Sequence, residues 1–210
     1  LQAAYYAMIK LIDDQVGRMV AALEETGQLD NTLVIFMSDH GETLGDHGLI
    51  QKGCRFYEGL VRVPLILSWL GKVQAGAVYD GLTELHDVTA TIMEATGVTI
   101  PDYFHGRSLM PIATGETAEH HRSFVRCEFY DALDLSDGSL ATMYRDATHK
   151  LVVYHGHNLG ELYDLSKDPD EFDNLWDDPD YQSLKLELMQ KSFDATLMAI
   201  DKGSPRIGPM

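Results

Sequence analysis

Apolar positions first recur at helical spacing. Over residues 3–26, Tyr5, Met8, Ile12, Val16, Met19 and Leu23 share one face, and Gly27 is placed to end the helix. A polar turn at Asp30-Asn31 leads into Leu33–Met37, a continuous apolar run without alternation, which suits a strand buried on both faces of a parallel sheet. Val63–Trp69 reads as a second buried strand, with Pro64 near its start. Residues 57–62 form a short connection or helical turn between the two runs, and 85–97 a helix closed by Gly97. Around Gly115–His121 the composition turns polar, which places a domain boundary there and divides 1–115 from 116–210. Beyond it, short stretches at 123–129, 140–145, 150–154 and 161–165 are separated by Asp, Gly and His and read as an antiparallel sheet. Asp178 as cap and Pro179 at the first helical position open a last helix with the stripe Leu186, Met189, Phe193, Leu197 and Ile200. The residues around Gly203, Pro205, Gly208 and Pro209 should be irregular. The fold class is α/β: a mostly parallel sheet flanked by helices, then a small antiparallel α+β subdomain with a terminal helix.

Composition narrows the function. With 33 acidic against 16 basic residues the net charge is −17, which argues against nucleic acid as a partner. No apolar run reaches transmembrane length and no signal peptide opens the chain, so no membrane partner is expected. The chain starts directly in helical sequence without an initiating Met, so a natural N-terminus is expected to be missing. Cys54 and Cys127 make neither a disulfide framework nor a zinc pattern and read as buried or loop thiols.

The densest chemistry follows the first apolar run: Ser38-Asp39-His40-Gly41-Glu42-Thr43-Leu44-Gly45-Asp46-His47-Gly48-Leu49-Ile50-Gln51-Lys52-Gly53. A carboxylate and an imidazole, Asp39 and His40, supply O and N ligands for a divalent cation. They converge only if the strand ends at Ser38, with Gly41 easing the turn. Gly45, Gly48 and Gly53 let the loop fold back and bring in Lys52, whose ammonium beside a metal suits a sulfate or phosphate group. A solvated loop with a chance Asp-His pair explains the same spacing about as well. Other polar groups read as structural. Asp13 and Asp14 belong to a solvent face, Glu58 and Arg62 to a helical pair, and Asp87 to the first turn of a helix with His86 beside it. Arg55 is a weaker candidate for anion contact, His120-His121 reads as a surface pair, and His155 with His157 lacks an evident third ligand. Asp168–Asp173 fails as a calcium loop, because Phe172 holds the fifth position and Asp173 the sixth.

The run SDHGETLGDHGLIQKG closely resembles the second metal-binding motif of the sulfatase family, within the alkaline phosphatase superfamily. The likeness continues through Arg55–Ile66, the helix 85–97, Pro101–Pro111, and the segment from Leu162 through Asp168-Pro169 to Leu175. The resemblance implies that Asp39 and His40 ligate one divalent metal, Ca²⁺ first and Mn²⁺ or Mg²⁺ as alternatives, and that Lys52 contacts the sulfate oxygens. His47 would protonate the leaving group or else serve the loop's structure. Sulfatases carry a formylglycine nucleophile made from Cys or Ser in a Cys-x-Pro/Ala-x-Arg pattern. Neither Cys54, followed by Arg-Phe-Tyr-Glu, nor Cys127, followed by Glu-Phe-Tyr-Asp, fits it. The family's first acidic ligand pair is also absent. The chain therefore resembles the C-terminal half of a sulfatase, inactive alone. Its expected partners are a sulfated small molecule or glycan, the missing N-terminal half and, through an uncovered sheet edge, a second copy. Two alternatives are a phosphodiester or phosphonate monoester hydrolase of the same superfamily, and a non-catalytic binding or assembly chain.

Overall fold

The computed structural model describes residues 1–117, 121–131 and 139–200. The elements in chain order are α1 (Gln2–Glu25), β1 (Val34–Met37), α2 (Glu58–Val61), β2 (Leu65–Ser68), α3 (Leu85–Ala95), α4 (Met110–Ala113), β3 (Val125–Tyr130), β4 (Leu140–Arg145), β5 (His149–Tyr154), β6 (Leu159–Asp164) and α5 (Gln182–Met198). They belong to two compact units. The first is Leu1–Asp80 with Leu109–His120, and the second is Gly81–Ser108 with His121–Met210.

In the first unit α1 ends as its sequence dictates. Gly27 takes a φ of 66°, its N–H bonds to Glu24, and the Gln28 N–H reaches back to Leu23 at 2.8 Å, which closes a Schellman motif. Of the expected stripe, Tyr5, Val16 and Leu23 are half-buried, while Met8, Ile12 and Met19 are exposed. Asp13 and Asp14 lie in solvent and pair with Lys10. β1 and β2 form a two-stranded antiparallel ladder, Val34 opposite Ser68 and Met37 opposite Leu65. The parallel sheet expected around the Leu33–Met37 run is thus not among the described residues, and the strands are not buried on both faces: Met37 and Ile66 are exposed. An unbroken apolar run encodes two covered faces but not the direction of the neighbouring strand. The Trp69 indole N–H bonds to Asp30 O at 3.1 Å and ties the end of β2 to the turn before β1. Among the described residues, Phe56, Leu60, Leu109 and Met110 are the buried apolar residues of this unit.

The second unit holds a sheet of order β3-β4-β5-β6, antiparallel throughout, as the alternating short stretches lead one to expect. Tyr144, Leu151 and Leu162 lie opposite one another in register, and they form a core with Leu188 and Ala195 of α5, extended by Phe124, Trp176, Tyr181 and Leu184. On the sheet's other face Lys150 is fully buried, its ammonium 2.6 Å from Glu171. The N-terminus of the last helical segment is built as its sequence dictates: Asp178 Oδ1 accepts from the Asp180 N–H at 2.9 Å, and Pro179 opens a 3₁₀ turn before α5. The apolar stripe is not. Leu186 is 71% exposed and Phe193 67%, while Leu188, Ser192 and Ala195 are the residues facing the sheet. The helix carries two helical-period sets, and the one with Leu188, Ser192 and Ala195 is the one that is buried. The proposed irregular tail, Gly203–Pro209, lies outside the described residues.

Candidate functional site

The candidate loop begins where β1 stops at Met37. The Ser38 hydroxyl donates to His40 O at 2.7 Å and closes a tight turn. Asp39 and His40, which a continued strand would send to opposite faces, are thereby brought together. The His40 N–H donates to Asp39 Oδ1 at 3.0 Å, and Asp39 Oδ2 lies 3.7 Å from His40 Nε2. His40 Nδ1 sits 2.8 Å from Gly41 O. A carbonyl only accepts, so Nδ1 carries the proton and Nε2 is left with its lone pair. Lys52 Nζ donates to that lone pair at 2.9 Å. The structure therefore brings Asp39, His40 and Lys52 together. The Asp39 side chain is 84% exposed.

The backbone between them is strained. Leu44, His47 and Gln51 all adopt positive φ, as do Gly45, Gly48 and Gly53. Three of the six described non-glycine residues at positive φ fall in this one loop, and such outliers persist where surrounding contacts over-determine them. Those contacts are visible. Thr43 is buried and its hydroxyl donates to Gln51 O at 2.8 Å, and the Gly45 N–H bonds to Leu49 O at 2.7 Å. Gln2 Nε2 on α1 reaches Leu44 O at 3.2 Å. Gly45, Gly48 and Gly53 serve as expected, folding the loop back. Gly41 does not: its φ is not positive, and what it supplies is room.

His47 is held by its ring, stacked on Tyr57 with centroids 3.8 Å apart and planes 11° from parallel. Tyr57 was not legible as a site neighbour, because local spacing does not show which aromatic His47 meets. The Arg55 guanidinium folds back beside Gly53.

Among the described residues, no group of three or more His, Cys, Asp or Glu side chains is placed so that it could hold a metal ion. What the loop brings together is one such pair, Asp39 and His40. His155 Nε2 instead meets the Thr142 hydroxyl at 3.0 Å. Cys54 and Cys127 are half-buried and form no disulfide among the described residues, and burial raises the Cys127 thiol above its usual value.

A second Asp-His cluster lies in the other unit. Asp87 is fully buried and its carboxylate accepts from Arg122 Nε at 2.8 Å, from Arg122 Nη2, from the Arg107 N–H at 2.8 Å and from the Glu84 N–H at 2.9 Å. His121 Nε2 is 3.1 Å away. Burial would raise the Asp87 pKa, but Arg122 and the two backbone donors hold it below the usual carboxylate range. The expected surface pair His120-His121 is corrected in its described half. His121 is buried against Asp87 because the carboxylate needs donors, and His120 lies outside the described residues.

Comparisons with known proteins add to this geometry. The family described as N-sulphoglucosamine sulphohydrolase, C-terminal, matches residues 45–196, and a family of unknown function, DUF229, matches residues 1–71. A multifunctional alkaline phosphatase superfamily protein of Trinickia caryophylli is 38% identical, over 96% of this chain and 41% of its own length. An arylsulfatase of Clostridium perfringens is 33% identical, with the same 96% and 41% coverage. The crystal structure of a phosphonate monoester hydrolase of Agrobacterium radiobacter superposes with a TM-score of 0.84 at 32% identity, over 95% of this chain and 42% of that one. The chain thus spans about two-fifths of the length of these relatives.

Proposed function

The chain belongs to the sulfatase family of the alkaline phosphatase superfamily, and on that footing we propose that it serves a metal-dependent hydrolase of sulfate monoesters, contributing part of the active site. The observation that carries this reading is the convergence of Asp39, His40 and Lys52 on one point, with His40 Nε2 2.9 Å from Lys52 Nζ. The donor set, one carboxylate oxygen and one imidazole nitrogen whose lone pair accepts only from the Lys52 ammonium among the described residues, fits a divalent cation, Ca²⁺ first and Mn²⁺ or Mg²⁺ as alternatives. A bound cation would supply Lewis-acid polarisation of the sulfate oxygens. Asp39 and His40 would hold it, and the Gly41 carbonyl 2.8 Å from His40 Nδ1 would keep the imidazole in the ligating tautomer. Lys52 neutralises charge on the sulfate and on the departing oxygen. His47, fixed on Tyr57, is the candidate donor of the leaving-group proton. The attacking group comes from outside these 210 residues, so the chain alone is inactive. The substrate is a sulfated small molecule or glycan. The partners are the N-terminal half of the same enzyme and, through the edges of the two-stranded sheet, which pair with no further strand among the described residues, a second copy.

Lys52→Ala in the complete enzyme should lower aryl-sulfate turnover about 10²–10³-fold while leaving its melting temperature in place, and unchanged turnover would sink the assignment. Calorimetry with Ca²⁺ and Mn²⁺ on this chain and on Asp39→Ala separates the enzyme from a non-catalytic binding chain, which predicts no binding that depends on Asp39. The likeness to a phosphonate monoester hydrolase favours a second reading, hydrolysis of phosphonate monoesters or phosphodiesters at the same loop. Rates measured in parallel on sulfate and phosphodiester substrates decide between the two.

A further inference from the structure

The candidate loop is bonded to α2 at one place. The Gly41 N–H donates to Leu60 O at 2.8 Å and the Glu42 N–H to Gly59 O at 3.1 Å. Leu60 is itself buried, so α2 is a fixed support. A side chain at residue 41 would have no place: its Cβ would overlap Gly59 O and lie 2.9 Å from Gly59 C and 3.1 Å from Leu60 Cα. All three are backbone atoms, which cannot swing aside. The same Gly41 whose N–H is held by Leu60 turns its carbonyl to His40 Nδ1 at 2.8 Å. One peptide-spaced residue therefore connects the α2 backbone to the imidazole.

We propose that Gly41 is a positioning residue: its lack of a side chain lets the loop lock onto α2, and that lock fixes the ring orientation and tautomer of His40. This rests on the reading of Asp39 and His40 as a metal-binding pair, but the lock itself is a property of the free chain. The His40 ring is aimed through Gly41, and Gly41 is aimed through Leu60. Opening the two backbone bonds would free the Gly41 carbonyl and leave Nδ1–H without its fixed acceptor, and the imidazole would then divide between tautomers. Partners of this kind behind a ligating histidine are worth 10–100-fold in metal affinity. Gly59 makes a graded comparison, since a Cβ there would meet only the Asp46 carboxylate at 3.3 Å and Glu42 O at 3.6 Å.

The test uses the full chain and Gly41→Ala, Gly59→Ala and His40→Gln variants. Imidazole ¹⁵N spectra, recorded where the rings are neutral and assigned with His40→Gln, should show Nδ1 protonated and Nε2 free in the wild type. Gly41→Ala should give a mixture, and Gly59→Ala the wild-type pattern. Calorimetry with Mn²⁺ should show a 10–100-fold weaker site in Gly41→Ala, with the far-ultraviolet spectrum retained. A Gly41→Ala protein that keeps both the tautomer and the affinity overturns the proposal. If the wild type binds no Mn²⁺, the metal reading fails, and the tautomer measurement still decides on the lock. Should Gly41→Ala not fold, hydrogen exchange on the wild type settles the matter. The Gly41 and Glu42 amides must be protected, and free exchange at both overturns the lock.

Discussion

Two stretches of this protein place an aspartate next to a histidine, and they have opposite fates. At Asp39-His40 the carboxylate is largely in solvent, and its described neighbours are His40 and, through it, Lys52. At His86-Asp87 the carboxylate is wholly buried and every lone-pair direction is occupied, by Arg122, His121 and two backbone N–H groups. Arg122 also pairs with Glu84 at 3.0 Å and donates to His105 O, so the cluster is a closed network. The chemistry of the two pairs is the same; what differs is how much of it is already used inside the chain. A satisfied carboxylate fixes structure, while a presented one is available to a ligand.

The sharpest way to break this comparison is to remove both carboxylates in turn. Asp87→Ala leaves Arg122 buried without its main counter-charge, and breaking a buried pair in this way costs about 3–5 kcal/mol. Asp39→Ala should shift stability by no more than about 0.5 kcal/mol, because the group is exposed. Urea unfolding followed by circular dichroism measures both. Equal losses would mean that Asp39 is structural too.

The contrast also explains what the sequence let one read. Asp39, His40 and Lys52 share a single loop, the furthest pair being 13 residues apart, so motif spacing and glycine placement were enough to gather them. The partners of Asp87 stand 20–35 residues away, at Arg107, His121 and Arg122, and local periodicity carries no trace of such contacts. Helix ends were legible for the same local reason: Gly27 and Gly97 both close Schellman motifs, the latter with the Val98 N–H bonded to Met93 O at 2.8 Å. The antiparallel sheet was legible because its connections are short. The pairing direction of β1 and β2 was not, since it depends on partners 28 to 34 residues on. Nor was the buried face of α5, where two apolar sets compete and only the sheet decides between them.

That last case gives the next largest effect, again as a contrast between an engaged group and a presented one. Leu188→Ala should cost about 2–5 kcal/mol, as expected for a fully buried leucine in a close-packed core. Leu186→Ala, two residues earlier on the outer face, should cost no more than about 0.5 kcal/mol. A larger loss at Leu186 in the urea midpoint would restore the stripe that periodicity suggests as the core face.

The smallest effect tests whether the closed network is closed at its edge. His86 is half-exposed and its Nε2 lies 3.1 Å from Glu84 Oε2 and 3.2 Å from Arg122 Nη2. Glu84 raises the His86 pKa by hydrogen bond and charge, against the opposing effects of burial and of Arg122, while Asp87 adds to the rise. A histidine raised in the folded state stabilises it when protonated. The stabilisation is complete below the unfolded value of about 6.5 and is lost as the pH climbs through the folded value. His86→Gln, which cannot titrate, should therefore cost more at pH 5 than at pH 8. Partial solvent screening keeps the difference below about 1 kcal/mol. Stability curves of wild type and variant that run parallel between these two pH values would show that Glu84 is satisfied by Arg122 and the Arg126 N–H without help from His86. In that case the network closes one residue sooner, and His86, like Asp39, is presented and not engaged.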